Sequence, residues 1–135
     1  MSAAQNKKIV EDAVVEWRTG NPEAFYEILD ENVNWTVIGS TAVSGTYTSR
    51  QAFIDGAVRK IGKRVDGMVV PEIVDILTEG DKLVFRWDGS GKMADGTPYH
   101  NRYSWAMTFN DGKVVEGTAY LDTALVDTLM DLPDS

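Results

Sequence analysis

The residues of this 135-residue chain best equipped for chemistry lie in its second half. Arg86 and Asp88 stand two apart, His100 is the single histidine, and Asp122 closes a Tyr-Leu-Asp segment. An arginine beside a carboxylate lowers the carboxylate's pKa, which suits a structural ion pair as well as a general base. His100 is the one side chain whose ordinary pKa lies near neutrality, so it is a natural proton carrier. Its place after Pro98-Tyr99, at a strand mouth, equally suits a solvated histidine. Asp122 precedes Thr123-Ala124-Leu125, where an aspartate also serves as a helix N-cap. Other chemistries find less footing. One histidine among scattered carboxylates gives no metal-ligand spacing, no glycine-rich loop opens a helix with a following Lys, and no Ser sits in a nucleophile elbow. Without Cys the chain has no thiolate nucleophile and no disulfide. Neither a metal nor a cofactor is expected.

These residues must be positioned by the stretch from Leu83 to Asp122, rich in Val, Phe, Trp and Tyr and broken at Ala94-Asp95-Gly96-Thr97-Pro98 and Asn110-Asp111-Gly112. Asp-Gly between β-forming runs is a strong hairpin signal, because a two-residue turn needs φ > 0. The stretch is read as a β-meander, with Gly89-Ser90-Gly91 marking a strand bend. A further strand, Met68 to Thr78, precedes it. Pro71 inside that strand cannot donate to a ladder, which places it at a sheet edge or at a bulge.

Upstream the pattern is mostly helical. Ile9, Val10, Ala13, Val14 and Trp17 form one apolar stripe on a helix over residues 3–19, which Gly20 ends. Asn21-Pro22-Glu23 restarts a second helix, with Asn21 as N-cap and Phe25, Ile28 and Leu29 buried. Val33, Trp35 and Val37 alternate with polar residues on a first strand. Thr48 with Gln51 forms an expected capping box for a third helix that buries Phe53, Ile54, Ala57, Val58 and Ile61. A short helix through Ala124, Leu125 and Leu129 closes the chain. Three helices with one inserted strand, then four strands, predict an α+β fold with the helices on one face of a mostly antiparallel sheet.

Composition narrows the partners. A hydrophobic share of 43% with 25% charged residues is that of a globular protein, read as a single domain over residues 1–135. A net charge of -8 argues against nucleic acid or an anionic membrane, both of which demand a basic face. No apolar run approaches the ~20 residues of a membrane span, and MSAAQNKKIVEDAVVEW lacks the apolar core of a signal peptide, so a cytoplasmic location is expected.

Taken together, TGNPEAFYEIL, VSGTYTSRQAF and DGKVVEGTAYLD, in that order, resemble the SnoaL-like and ketosteroid-isomerase-like branch of the nuclear transport factor 2-like superfamily. The resemblance covers essentially the whole chain. It implies a conical α+β barrel, a curved sheet wrapped around three N-terminal helices with a short C-terminal helix. It also implies a deep apolar cavity and a homodimer packed through the convex sheet face. Such cavities host isomerases, cyclases, hydrolases and plain binders. A ketosteroid isomerase's base, oxyanion tyrosine and buried aspartic acid would fall on Thr36, Ala13 and Trp105, which removes that chemistry. A limonene-epoxide-hydrolase-like arrangement keeps its Arg-x-Asp at Arg86 and Asp88 but has Ala119, Trp35 and Val37 where its acid and water-holding pair belong. The SnoaL-like cyclases' aspartate and histidine correspond to Asp122 and His100. By the parity of the resemblance Asn101, Tyr103, Trp105, Gly117, Ala119 and Leu121 face inward. With Trp17, Trp35, Phe53, and Tyr26 and Tyr47 near them, they outline a pocket for a small, flat, apolar molecule bearing a carbonyl or hydroxyl. Gly117 and Ala119, being small, are expected to leave it room. The expected function is therefore cofactor-free acid/base chemistry on such a molecule, or its binding without catalysis.

Overall fold

The long strands of the meander form as the Asp-Gly turns predict, in a computed structural model that describes residues 1–134. β3 (Val65–Glu79), β4 (Lys82–Met93), β5 (Pro98–Asn110) and β6 (Lys113–Leu121) follow one another antiparallel. Asp111 (φ 51°) and Gly112 (φ 76°) both adopt the positive φ that a tight hairpin demands. β1 (Leu29–Val37) then lies parallel against β6, and β2 (Gly45–Tyr47) pairs with β1's free side. The six strands run β2-β1-β6-β5-β4-β3 in a curved, open sheet. β3 is the outer strand, so Pro71 occupies an edge, and its carbonyl accepts a hydrogen bond from the Arg18 guanidinium.

The helices cover the concave face. α1 (Ala3–Arg18) buries Val10, Ala13, Val14 and Trp17 and opens with a reciprocal cap, Ser2 Oγ accepting from Gln5 N–H and Gln5 Oε1 from Ser2 N–H. Gly20 (φ 109°) leaves the helix in a conformation that L side chains avoid. α2 (Glu23–Tyr26) has Pro22, not Asn21, at its N-cap, and Asn21 contributes only its backbone carbonyl. The third helical segment comprises α3 (Arg50–Phe53), a π turn (Ile54–Val58) and α4 (Arg59–Gly62). Its cap is Ser49, one residue after the expected Thr48, with Ser49 Oγ accepting from Ala52 N–H at 3.0 Å. Phe53 and Ala57 are buried there, whereas Ile54, Val58 and Ile61 are only half-buried. Gly56 sits against the Tyr47 ring, where a Cβ would lie 2.4 Å from Tyr47 Cε1, so the widened turn carries no side chain at its closest approach.

α5 (Thr123–Met130) is capped by Asp122, whose Oδ1 accepts from the N–H groups of Ala124 and Leu125 at 3.1 and 3.3 Å. The helix runs through Ala124, Leu125 and Leu129 as expected; Val126 and Leu129 are its buried residues, with Leu129, flanked by half-buried Leu125, docked against Met93 and Tyr99 at the sheet's end. No helix among the described residues is long and apolar enough to cross a membrane.

Candidate functional site

Strand alternation decides which side chains reach the space between sheet and helices. On β4, Leu83, Phe85 and Trp87 are buried while Arg86 and Ser90 are exposed; on β5, Tyr99, Asn101, Trp105 and Met107 are buried while His100 and Arg102 are exposed. The β4–β5 register pairs Trp87 with Tyr103 and Phe85 with Trp105, so these four rings share the concave face. A cavity of about 120 Å³ opens above them, walled by Trp17, Trp35, Trp87, Trp105, Tyr26 and Tyr103. Phe53 and Ala119 complete its inner wall, Val58 and Ile61 stand on its helix side, and Val69 of β3 borders it.

The rings hold one another in place. Trp105 meets Trp35 and Trp87 edge-on, at 5.1 and 5.0 Å between centroids, and Tyr103 stacks on Trp87 at 3.9 Å with 9° between planes. Edge-to-face and offset-stacked pairs suit the aromatic quadrupole, so the wall is preorganised. The indole N–H groups of Trp17, Trp35, Trp87 and Trp105 are buried and find no hydrogen-bond acceptor among the described residues, while neighbouring π faces offer only weak partners.

The tyrosines supply the site's polar pole. Burial pushes the hydroxyls of Tyr26 and Tyr103 well above the ordinary tyrosine pKa, so both stay protonated donors. Behind Tyr103 the hydroxyl of Tyr99 lies 2.7 Å away, and Asn101 Nδ2 donates to it at 3.1 Å. Asn101 is 1% exposed and does not line the cavity; it stands behind the wall, bonded to the backbone of Asp122.

The other chemistry-bearing residues lie elsewhere. Arg86 and Asp88 belong to the convex face, the reverse of a cavity position, because each sits one residue from inward-facing Trp87. Arg86 pairs with Asp75 at 2.6 Å and Asp88 lies 3.9 Å from Arg102, its cross-strand neighbour. His100 is exposed on that same face, its Nδ1 3.1 Å from Ser90 Oγ. Asp122 spends its side chain capping α5. The four are thus not brought together at the cavity. Trp17, Trp35, Phe53, Tyr103, Trp105 and Ala119 do line it, as does Tyr26, whereas Tyr47 packs behind Phe53. Gly117 leaves no free room, because the Trp35 ring fills it; a Cβ there would lie 2.3 Å from Trp35 Cζ3. Trp87 is the aromatic lining residue that sequence reading missed, along with aliphatic ones such as Val43 and Val69. The signal was available: once Tyr103 and Trp105 face inward, hairpin pairing carries Trp87 inward and Arg86 and Asp88 outward. No cluster of three or more metal-ligating side chains occurs among the described residues.

The profile of the SnoaL-like domain matches residues 10–117. The chain belongs to that family. No functionally curated protein matches the sequence. Among solved structures, this SnoaL-like chain is similar to an NTF2-like protein from Burkholderia thailandensis, at 23% identity and a TM-score of 0.78 over 94% of this chain and 98% of the other. TerC, co-crystallised with polyporic acid, aligns at 16% identity and a TM-score of 0.77 over 95% and 99% of the two chains. A protein of ketosteroid isomerase-like fold from Catenulispora acidiphila, in complex with trimethylamine, aligns at 17% identity and a TM-score of 0.70 over 93% and 94%. The mixed α+β architecture is that of this superfamily, and it accommodates isomerases and cyclases as well as proteins of unknown activity.

Proposed function

We propose that this SnoaL-like domain binds a small apolar molecule, about one substituted aromatic ring in size, between its sheet and its helices. The observation that carries this reading is the cavity wall: four indoles and a phenyl ring, with two protonated tyrosine hydroxyls as its polar groups. A volume of about 120 Å³ is somewhat below that of an apolar cavity of roughly 150 Å³ known to take benzene, so a single ring fills it and a substituent or a second ring would have to open the helix side. Aromatic walls favour a flat ligand, and hydroxyl donors favour a carbonyl or hydroxyl substituent on it. Small organic ligands in two structural neighbours agree with this use of the fold.

The second reading is acid/base chemistry of isomerase, cyclase or hydrolase type on a carbonyl- or epoxide-bearing compound. It is favoured by the hydrogen-bonded chain that runs from Asp122 through Asn101 and Tyr99 to Tyr103 at the cavity. In it Tyr103 would act as an electrophilic donor, not a base, while Asp88, Arg86 and His100 would lack access to the ligand. Titration with acetophenone, followed by quenching of tryptophan fluorescence, tests the binding reading: saturable quenching lost in Trp105→Ala supports it. Absence of quenching in the wild-type protein overturns it.

A homodimer through the convex face is part of the same proposal. Val74, Leu77 and Tyr120 are exposed there beside the Arg86–Asp75 pair, and a second copy of the chain would cover them. Sedimentation should show a dimer that Leu77→Asp converts to monomer; a monomeric wild-type protein would refute it.

A further inference from the structure

The polar chain behind the cavity has a defined proton direction. Asp122 N–H can only donate, and it lies 3.0 Å from Asn101 Oδ1, which fixes the orientation of the Asn101 amide. Asn101 Nδ2 then spends its two protons on the Asp122 carbonyl and the Tyr99 hydroxyl, each at 3.1 Å. Tyr99 is 1% exposed, and Asn101 and Tyr103 are its hydroxyl's partners among the described residues. If Tyr103 donated to Tyr99, the Tyr99 oxygen would receive two protons and its own would be stranded without an acceptor in the core, at the full desolvation cost of a buried donor. If instead Tyr99 donates to Tyr103 across the 2.7 Å contact, Asn101 and Tyr99 are both satisfied and the one unpaired proton is moved from the core to Tyr103, at the edge of the cavity. The Tyr103 proton is then free to point into the cavity that its ring lines.

We infer that Asn101 is a positioning residue which, acting through Tyr99, makes Tyr103 a dedicated proton donor to the cavity. The site thereby selects ligands that carry an acceptor, a carbonyl or phenolate oxygen, over isosteres that lack one. The inference rests on the binding reading above and names its ligand class. Relayed hydroxyls polarise one another, so the donor at the end of the chain is stronger than an isolated tyrosine. Burial holds both Tyr99 and Tyr103 above their ordinary pKa, which keeps the chain protonated.

Acetophenone and α-methylstyrene have nearly the same shape and differ in C=O against C=CH₂. The wild-type protein should bind acetophenone about tenfold more tightly, and its carbonyl stretch should move to lower frequency on binding. Tyr103→Phe should abolish both the preference and the shift, acetophenone then binding no more tightly than α-methylstyrene. In Asn101→Asp the carboxylate accepts from Tyr99, so Tyr103 must turn its proton back toward Tyr99, and the carbonyl shift should vanish with the Tyr103 hydroxyl still present. Because Asn101 also anchors α5, Tyr99→Phe provides an independent arm: the shift should shrink without disappearing. Equal affinity for the two probes, or an unchanged shift in Tyr99→Phe, would overturn the inference and leave the cavity reading standing. Failure of both probes to bind would overturn both.

Discussion

The two faces of β4 and β5 are made by the same two strands and have opposite chemistry. On the concave side Phe85, Trp87, Tyr103 and Trp105 form interlocked rings; on the convex side Arg86, Asp88, His100 and Arg102 meet water in cross-strand pairs. Each charged residue is one position from a ring, so a single-residue change of register would exchange the faces entirely. An Arg-x-Asp motif on a strand therefore carries half a message. The two side chains share a face, but which face is set by the large aromatics between and opposite them, whose burial outweighs anything an exposed ion pair contributes.

The contrast can be broken most severely from the concave side. Trp105→Ala should cost about 3–5 kcal/mol in denaturant unfolding, since Trp105 touches Phe25, Trp35 and Trp87 together. Gly117→Ala should cost about 1–3 kcal/mol and weaken probe binding, because the new methyl displaces the fully buried Trp35 ring into the cavity. The buried tyrosines add a pH signature. Their folded pKa lies above the unfolded value of 10.0, so the folded state keeps protons that the unfolded chain releases. Stability should thus be level up to about pH 10 and fall as pH rises beyond it, with the fall blunted in Tyr103→Phe; a melting temperature flat to pH 12 would contradict this. On the convex side, Arg86→Gln should cost about 1 kcal/mol or less for its half-exposed pair with Asp75. The smallest effect belongs to Asp88→Asn, within about 0.5 kcal/mol and with probe affinity unchanged. A large loss of binding in Asp88→Asn would show that the two faces communicate and would dissolve the distinction.

Much of this arrangement is legible in the sequence where periodicity is long. The Val10-Ala13-Val14-Trp17 stripe, the Asp111-Gly112 turn and the alternation of Val33, Trp35 and Val37 each repeat one physical signal several times. Short or tertiary features are harder. β2 is three residues long, too few for alternation to register, and the π turn at Gly56 answers to the Tyr47 ring, a contact no local window contains. Neighbouring hydroxyls compete as caps, so Ser49 displaced Thr48. The Ser2–Gln5 box carries a readable S-x-x-Q signature that helix periodicity alone overlooks. At the site, the ring-bearing positions follow from parity, whereas the polar relay does not: Tyr99, Asn101 and Tyr103 alternate like any strand, and only the exit of the chain from β6 into α5 brings the Asp122 backbone onto Asn101.

The parallel pairing of β1 with β6 has a consequence for biosynthesis. Trp35 finds its sheet neighbour in Gly117, and Val37 finds Ala119, so the first strand waits until β3, β4, β5 and β6 have all left the ribosome before its inner edge is covered. Until then β1 can pair only with the three residues of β2, leaving a strand that carries Val33, Trp35 and Val37 on its inward face with one open edge. Closing so distant a pair demands a large loop entropy before any contact repays it, which makes docking of β6 between β5 and β1 the natural slow step of folding and the interval in which nascent chains are most prone to associate wrongly.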